Sequence, residues 1–200
     1  MTIGIPQPHL DGMGAIVDPR GVGFRVWAPH ASAVCVRGEF NDWAEIDKLR
    51  SEGNGFWYGF VWGATAGQQY TFRLTNGATV LDRVDPYALH VTNSVGTGII
   101  YDHAAFDWDG DAFTCPPNNE LVIYEMHVGT YASTGEGDVG DLHGMVDRLD
   151  HLVALGVNAI QIMPVAEFAG DYSWGYNPAH ILSLIHISEP TRRTPISYAV

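Results

Sequence analysis

GVGFRVWAPHASAVCVRGEF, residues 21–40, decides the first half of the fold. Val22, Phe24, Val26 and Ala28 alternate with Gly23, Arg25 and Trp27, the period of a strand buried on one face. After Pro29, Val34 and Val36 face one way, and Cys35 and Arg37 the other. Moving outward, short β-branched and aromatic runs recur between Gly, Asn, Asp and Pro: GFWYGFVWG (55–63), QQYTFRLTN (68–76), ATVLDRV (78–84) and TGIIYD (97–102). Asn76-Gly77 between two such runs signals a tight hairpin. This density of short strands predicts an immunoglobulin-like β-sandwich over residues 1–116.

The pattern changes at Cys115-Pro116-Pro117-Asn118-Asn119, a linker composition. LVIYEMHV (121–128) is nearly continuously apolar, as in a strand buried on both faces. TYASTGEGDVG (130–140) predicts a loop. A helix is expected over 141–155, with Met145, Leu149, Leu152 and Val153 at helical spacing and Asp147, Arg148 and Asp150 opposite. Asp141 suits its N-cap and Gly156 its stop. VNAIQIMPV (157–165) reads as a second buried strand, which makes residues 117–181 the start of a parallel, right-handed β-α-β domain. The rhythm stops in LSLIHISEPTRRTPISYAV, residues 182–200.

Bulk properties exclude some functions. A formal charge of −13 repels phosphate backbones, so neither nucleic acid nor an anionic membrane surface is an expected partner; a neutral polysaccharide is compatible. The start MTIGIPQPHLDGMG lacks a basic-then-apolar leader, and no run is long enough to span a membrane, so a cytoplasmic protein is expected. Cys35 and Cys115 are far apart and in no ligand spacing; free thiols are expected, with no metal and no cofactor. Six tryptophans could offer flat faces to sugars or simply fill core.

GVGFRVWAPHASAVCVRGEFNDW, followed by QQYTFRLTNG and DRVDPYA, resembles carbohydrate-binding module family forty-eight. LVIYEMHVGTY, GDLHGMVDRLDHLVALGVNAIQIMPVAEF and SWGYNPAH resemble the opening β-α-β unit of the α-amylase superfamily barrel. The resemblance implies a multi-domain chain, the sandwich followed by the start of a truncated (β/α)8 TIM barrel. Within the superfamily the motifs sit closest to branching enzymes that act on α-1,4-glucan. Trehalohydrolases share several of them, and amylases or debranching hydrolases are further alternatives; a module that holds glucan without catalysis is the alternative of another class.

The resemblance also assigns roles. Retaining chemistry on such a substrate uses two carboxyl groups about 5 Å apart, which the family carries on later strands of a barrel of about 250 residues. No catalytic residue is therefore expected among these 200; Glu125 and Glu167 do not match the family's acids. Tyr176 in SWGYNP matches a tyrosine that stacks under the sugar at the cleavage point, with loop packing as its alternative, and Asn177 can bind sugar hydroxyls or cap the next element. Trp174 is expected to pack, and His127 and His180 to hydrogen-bond internally. Trp43 of GEFNDW matches a glucan-stacking position, although Thr71 stands where a lysine is expected and an aliphatic, near Val80, where a second tryptophan is; the alternative for Trp43 is a structural role, wedging the sandwich against the barrel. Trp57 and Trp62, five apart in one strand, must face opposite sides. Residues 182–200 resemble a translated sequencing adapter and are expected to be non-native.

Overall fold

The structure, a computed structural model, describes residues 7–107, 110, 112–135, 138–170 and 173–184. In chain order the strands are β1 (Gly14–Asp18), β2 (Gly21–Trp27), β3 (Ala33–Gly38), β4 (Asp47–Lys48), β5 (Arg50–Gly53), β6 (Phe56–Trp62), β7 (Gln69–Asn76), β8 (Thr79–Arg83) and β9 (Gly98–Ile99). They are followed by β10 (Ile123–Met126), α1 (Val128–Tyr131), α2 (Leu142–Val146), α3 (Leu149–Ala154), β11 (Ala159–Ile162), β12 (Ala166–Phe168) and β13 (Pro178–Leu184). The chain divides into two compact units. One holds the described residues up to His103 together with His180–Ser183; the other holds those from Ala104 to Ala179.

In the first unit an antiparallel sheet of order β1-β2-β6-β5 lies against a second of order β4-β3-β7-β8, in which β9 also pairs with β7. Val22, Phe24 and Val26 from the first sheet share one core with Val34, Val36, Tyr70 and Phe72 from the second. The Phe24 ring meets Tyr70 at 5.1 Å and Phe72 at 6.4 Å between centroids, as the alternation in residues 21–40 requires. Truncating such a ring costs about 3–5 kcal/mol.

The outer face of β2 differs from expectation: Gly23 and Arg25 are buried too. The segment around Leu10 covers them. Arg25 Nη1 donates 2.7 Å hydrogen bonds to the carbonyls of Leu10 and Gly12, and one guanidinium edge, Nε and Nη2, pairs with both carboxylate oxygens of Glu52 at 2.8 and 3.0 Å. That hydrogen bonding holds the Glu52 carboxyl below the usual carboxylate range. Strands β1, β4 and β5, unexpected from sequence, form at the sheet edges; β4 and β5 are short polar segments held by pairing, while β1 also packs Ala15 and Val17 on the core. The expected strand at 97–102 is only Gly98–Ile99. Trp57 packs on the core and Trp62 is exposed, opposite sides as predicted.

In the second unit β10 and β11 pair in parallel, Ile123 to Ala159 through Met126 to Ile162, with the helices between them. Three expectations need correction. The segment 130–140 is not wholly loop, because α1 reaches Tyr131, its first turn capped by His127. The helix expected over 141–155 is broken into α2 and α3. Arg148 leaves helical geometry at φ −110°, ψ 6°; its carbonyl accepts from the Tyr131 hydroxyl and its guanidinium donates to the carbonyls of Tyr131 and Ser133. Of its predicted apolar face, Met145 and Leu152 are buried and Leu149 packs on them, but Val153 is 67% exposed. Finally, β10 is not buried on both faces: Ile123, Tyr124 and Glu125 are exposed, since its described sheet has two strands. Asp141 does cap α2, accepting from Gly144 N, and Gly156 ends α3 at φ 82°. Of residues 182–200, only 182–184 are described, as the end of β13.

Candidate functional site

Trp43 belongs to the first unit, and Tyr176 and Asn177 to the second. Each site is built by its own unit.

Trp43 lies on the turn that leaves β3. Gly38 opens this turn because a Cβ there would stand 2.3 Å from the Gln69 carbonyl oxygen, closer than any side chain tolerates. Asp42 and Trp43 then take left-handed backbone at φ 51° and 60°, a conformation costly for residues other than glycine. Local hydrogen bonds hold it. The buried Asn41 accepts from Gly38 N at 2.9 Å and donates to the Val36 carbonyl at 3.1 Å and to Asp47 at 2.8 Å. Trp43 N donates to the Gly38 carbonyl, and Arg37 Nε donates to the Trp43 carbonyl at 2.6 Å. The indole is half-buried.

Beside it, the outward face of β3, β7 and β8 carries a charged network that sequence reading missed. Arg73 grips Asp82 with two hydrogen bonds, at 2.8 and 2.7 Å, and also pairs with Glu45; Arg37 reaches Asp82 at 3.3 Å. The Arg73 hydrogen bonds hold the Asp82 carboxyl below its ordinary range, and Asp82 and Glu45 raise the Arg73 guanidinium. Thr71 is buried among these strands, and Val80 is 52% exposed. Cys35 is buried under the same face; burial pushes its thiol up.

Tyr176 and Asn177 lie between β12 and β13, in the excursion that follows β11. Ser173 organises it: its Oγ accepts from Gly175 N at 3.0 Å and donates to Asn177 Oδ1 at 2.5 Å. Gly175 sits at φ 84°, where an added Cβ would stand 2.0 Å from the Pro164 carbonyl oxygen, so glycine alone lets the loop lie on the end of β11's outgoing chain. Tyr176 is consequently presented 64% exposed. Trp174 is corrected from a packing residue to a surface one, 74% exposed, because Gly175 is drawn inward between two outward residues. Asn177 uses its side-chain carbonyl within the loop.

His127, at the C-terminal end of β10, joins this loop. Nε2 donates to the Ser173 carbonyl at 3.2 Å and Nδ1 accepts from Thr130 N at 3.2 Å, the internal role expected of it. The segments leaving both parallel strands are thereby tied together at one end of the sheet. Glu125 is exposed on β10 and Glu167 is buried on β12. His180 Nε2 donates to the Ser94 carbonyl at 3.0 Å, within the first unit. Among the described residues no three His, Cys, Asp or Glu side chains gather as metal ligands, and no helix is long and apolar enough to cross a membrane.

Residues 12–88 match the family described as Carbohydrate-binding module 48 (Isoamylase N-terminal domain). The 1,4-alpha-glucan branching enzyme GlgB of Salinibacter ruber is 34% identical over 178 residues, which cover 82% of this chain and 29% of that protein. The same enzyme of Picrophilus torridus is 35% identical over 165 residues, covering 80% of this chain and 23% of its own. Among solved structures, a pullulanase from Anoxybacillus sp. LM18-11 complexed with maltotetraose superposes with a TM-score of 0.73 at 26% identity, covering 88% of this chain and 30% of that one. The chain thus spans less than a third of the length of the curated relatives it matches.

Proposed function

Residues 12–88 being a carbohydrate-binding module of family 48, in a chain homologous to the N-terminal region of 1,4-alpha-glucan branching enzymes, we propose that this is the front end of such an enzyme. The whole protein cleaves an α-1,4 bond of a glucan and transfers the freed segment to a 6-hydroxyl. In this reading residues 1–116 are the module, 117–181 open a (β/α)8 barrel, and 182–200 are a non-native tail whose first residues, 182–184, continue β13.

The observation that carries the reading is the His127–Ser173 hydrogen bond. It joins the segments leaving β10 and β11 at the C-terminal end of a parallel sheet, the end at which barrel enzymes of this kind assemble their sites. Tyr176 and Asn177 are displayed on the joined loop. A phenol face there can stack on a pyranose and favour a sugar that gains positive charge in the transition state, and the Asn177 amide can donate to a hydroxyl. The two carboxyl groups of retaining chemistry are assigned to no residue of these 200: Glu125 lies on an exposed strand face, and Glu167 is buried. Trp43, held by Asn41 and Arg37, offers the module's stacking face to α-glucan. Two unpaired cysteines fit a reducing, cytoplasmic setting.

The likeness to pullulanases favours a second reading, a hydrolase of the same superfamily. One assay separates them. The whole protein, incubated with amylose, is expected to lower iodine absorbance without a matching rise in reducing ends, because transfer replaces each broken bond. Reducing sugar rising in step with the lost absorbance would make it a hydrolase, and no change in either would overturn both.

A further inference from the structure

A cavity of about 350 Å³ opens at the end of the sandwich away from Trp43's turn, between the chain leaving β2 and the β7–β8 hairpin. Its wall is the Trp27 indole, 56% exposed yet pinned by an Nε1 hydrogen bond to the Asn54 carbonyl at 3.1 Å. Leu74 and Leu81 give it an apolar floor, and His30, Asn76 and Thr79 line it with polar groups. No Asp, Glu, Lys or Arg is among the described residues around it, in a chain of net charge −13.

The surroundings are stiff. Ala28 N donates to the Gly55 carbonyl at 2.8 Å, the Trp57 indole donates to the Ala28 carbonyl at 3.1 Å, and Ser32 bonds the Thr75 carbonyl through both N and Oγ. The cavity is therefore preformed, and a ligand need not order it. Its volume falls at the small end of ligand sites, about 300–1,000 Å³. One fixed aromatic face, an apolar floor and polar donors and acceptors match a pyranose, which presents C–H groups on its faces and hydroxyls at its edge. An anionic or cationic ligand finds no counter-charge.

We propose that this groove is a second α-glucan contact of the module, with Trp27 as its stacking face and Asn76, Thr79 and His30 facing the sugar hydroxyls. It rests on the reading of residues 12–88 as a glucan-binding module, and it is separate from the Trp43 surface. Two contacts on one unit let a long chain bind with higher avidity than either contact alone.

The test is a titration of the isotopically labelled 200-residue chain with maltoheptaose, followed by amide and indole N–H resonances. Saturable shifts are expected at the Trp27 indole and along Thr75–Leu81, and they should persist in Trp43→Ala. Leu81→Glu changes an exposed position and so leaves the core intact; it should weaken the groove shifts at least tenfold while those near Trp43 remain. Trp27→Ala should act alike. Shifts at Trp43 alone would overturn the groove and leave the module reading standing. Shifts at neither place would overturn both.

Discussion

Asp85 is wholly buried, its Oδ2 accepting from the Tyr70 hydroxyl at 2.6 Å and its Oδ1 from Tyr87 N at 2.8 Å. Burial pushes its carboxyl up to about 6, against the pull of those two donors, and pushes the Tyr70 phenol up as well. Because the folded value lies above the unfolded one, the folded state holds the proton more tightly. This contribution to stability is complete below the ordinary carboxylate range and is lost as pH rises through about 6. A displacement of about two pH units corresponds to roughly 3 kcal/mol. Asp18, held at about 2 by hydrogen bonds from Arg20, acts with the opposite sign, its contribution being lost as pH falls. Comparing urea unfolding of wild type with Asp85→Asn isolates the buried group. The wild type should lose on the order of 2–3 kcal/mol relative to the variant between pH 4 and pH 7; parallel pH curves would contradict the assignment. The amide introduced by Asp85→Asn forfeits one acceptor, so the variant is expected to be weaker overall but flatter with pH.

At the scale of elements, the β7–β8 hairpin is the most legible part of the sequence. The two-residue turn is Gly77-Ala78, with Gly77 at φ 57°, which sets Asn76 opposite Thr79 and Arg73 opposite Asp82. The ion pair beside Trp43 depends on that register, whereas Asn76-Gly77 as the two turn residues would have set Arg73 opposite Val80. The groove is not legible, because Trp27 and the hairpin meet through tertiary packing alone. The broken helix is illegible for a related reason: the apolar spacing of 145–153 is helical, and the break comes from Arg148 bonding to Tyr131 at the end of α1 and to Ser133 just beyond it. The Tyr176 loop depends on Gly175, whose place against Pro164 no local pattern announces. Gly175→Ala adds a Cβ at positive φ and against backbone, so it should cost more than about 1 kcal/mol and speed hydrogen exchange at 173–177. Unchanged exchange there would show that the loop is not held by this contact.

Across the whole molecule, the sandwich is readable because its main strands each carry a period of two and share one core built on Phe24, Tyr70 and Phe72. The second unit is readable as β-α-β from its order of elements, but not in its burial: β10 is exposed over most of its length and Val153 and Leu155 face outward. Trp43 and Tyr176 stand out through resemblance, and their display depends on features a strand or helix period does not encode, the left-handed turn at 42–43 and the Gly175 contact. In the proposed reading, what the two units share is α-glucan itself, stacked by an aromatic side chain in each. The most direct check is calorimetric titration of the 200-residue chain with maltoheptaose, wild type against Trp43→Ala at matched melting temperature. Saturable binding weakened by about tenfold, or 1.4 kcal/mol, in the variant is the predicted result; an affinity that the substitution leaves unchanged, or no binding by the wild type, would contradict it.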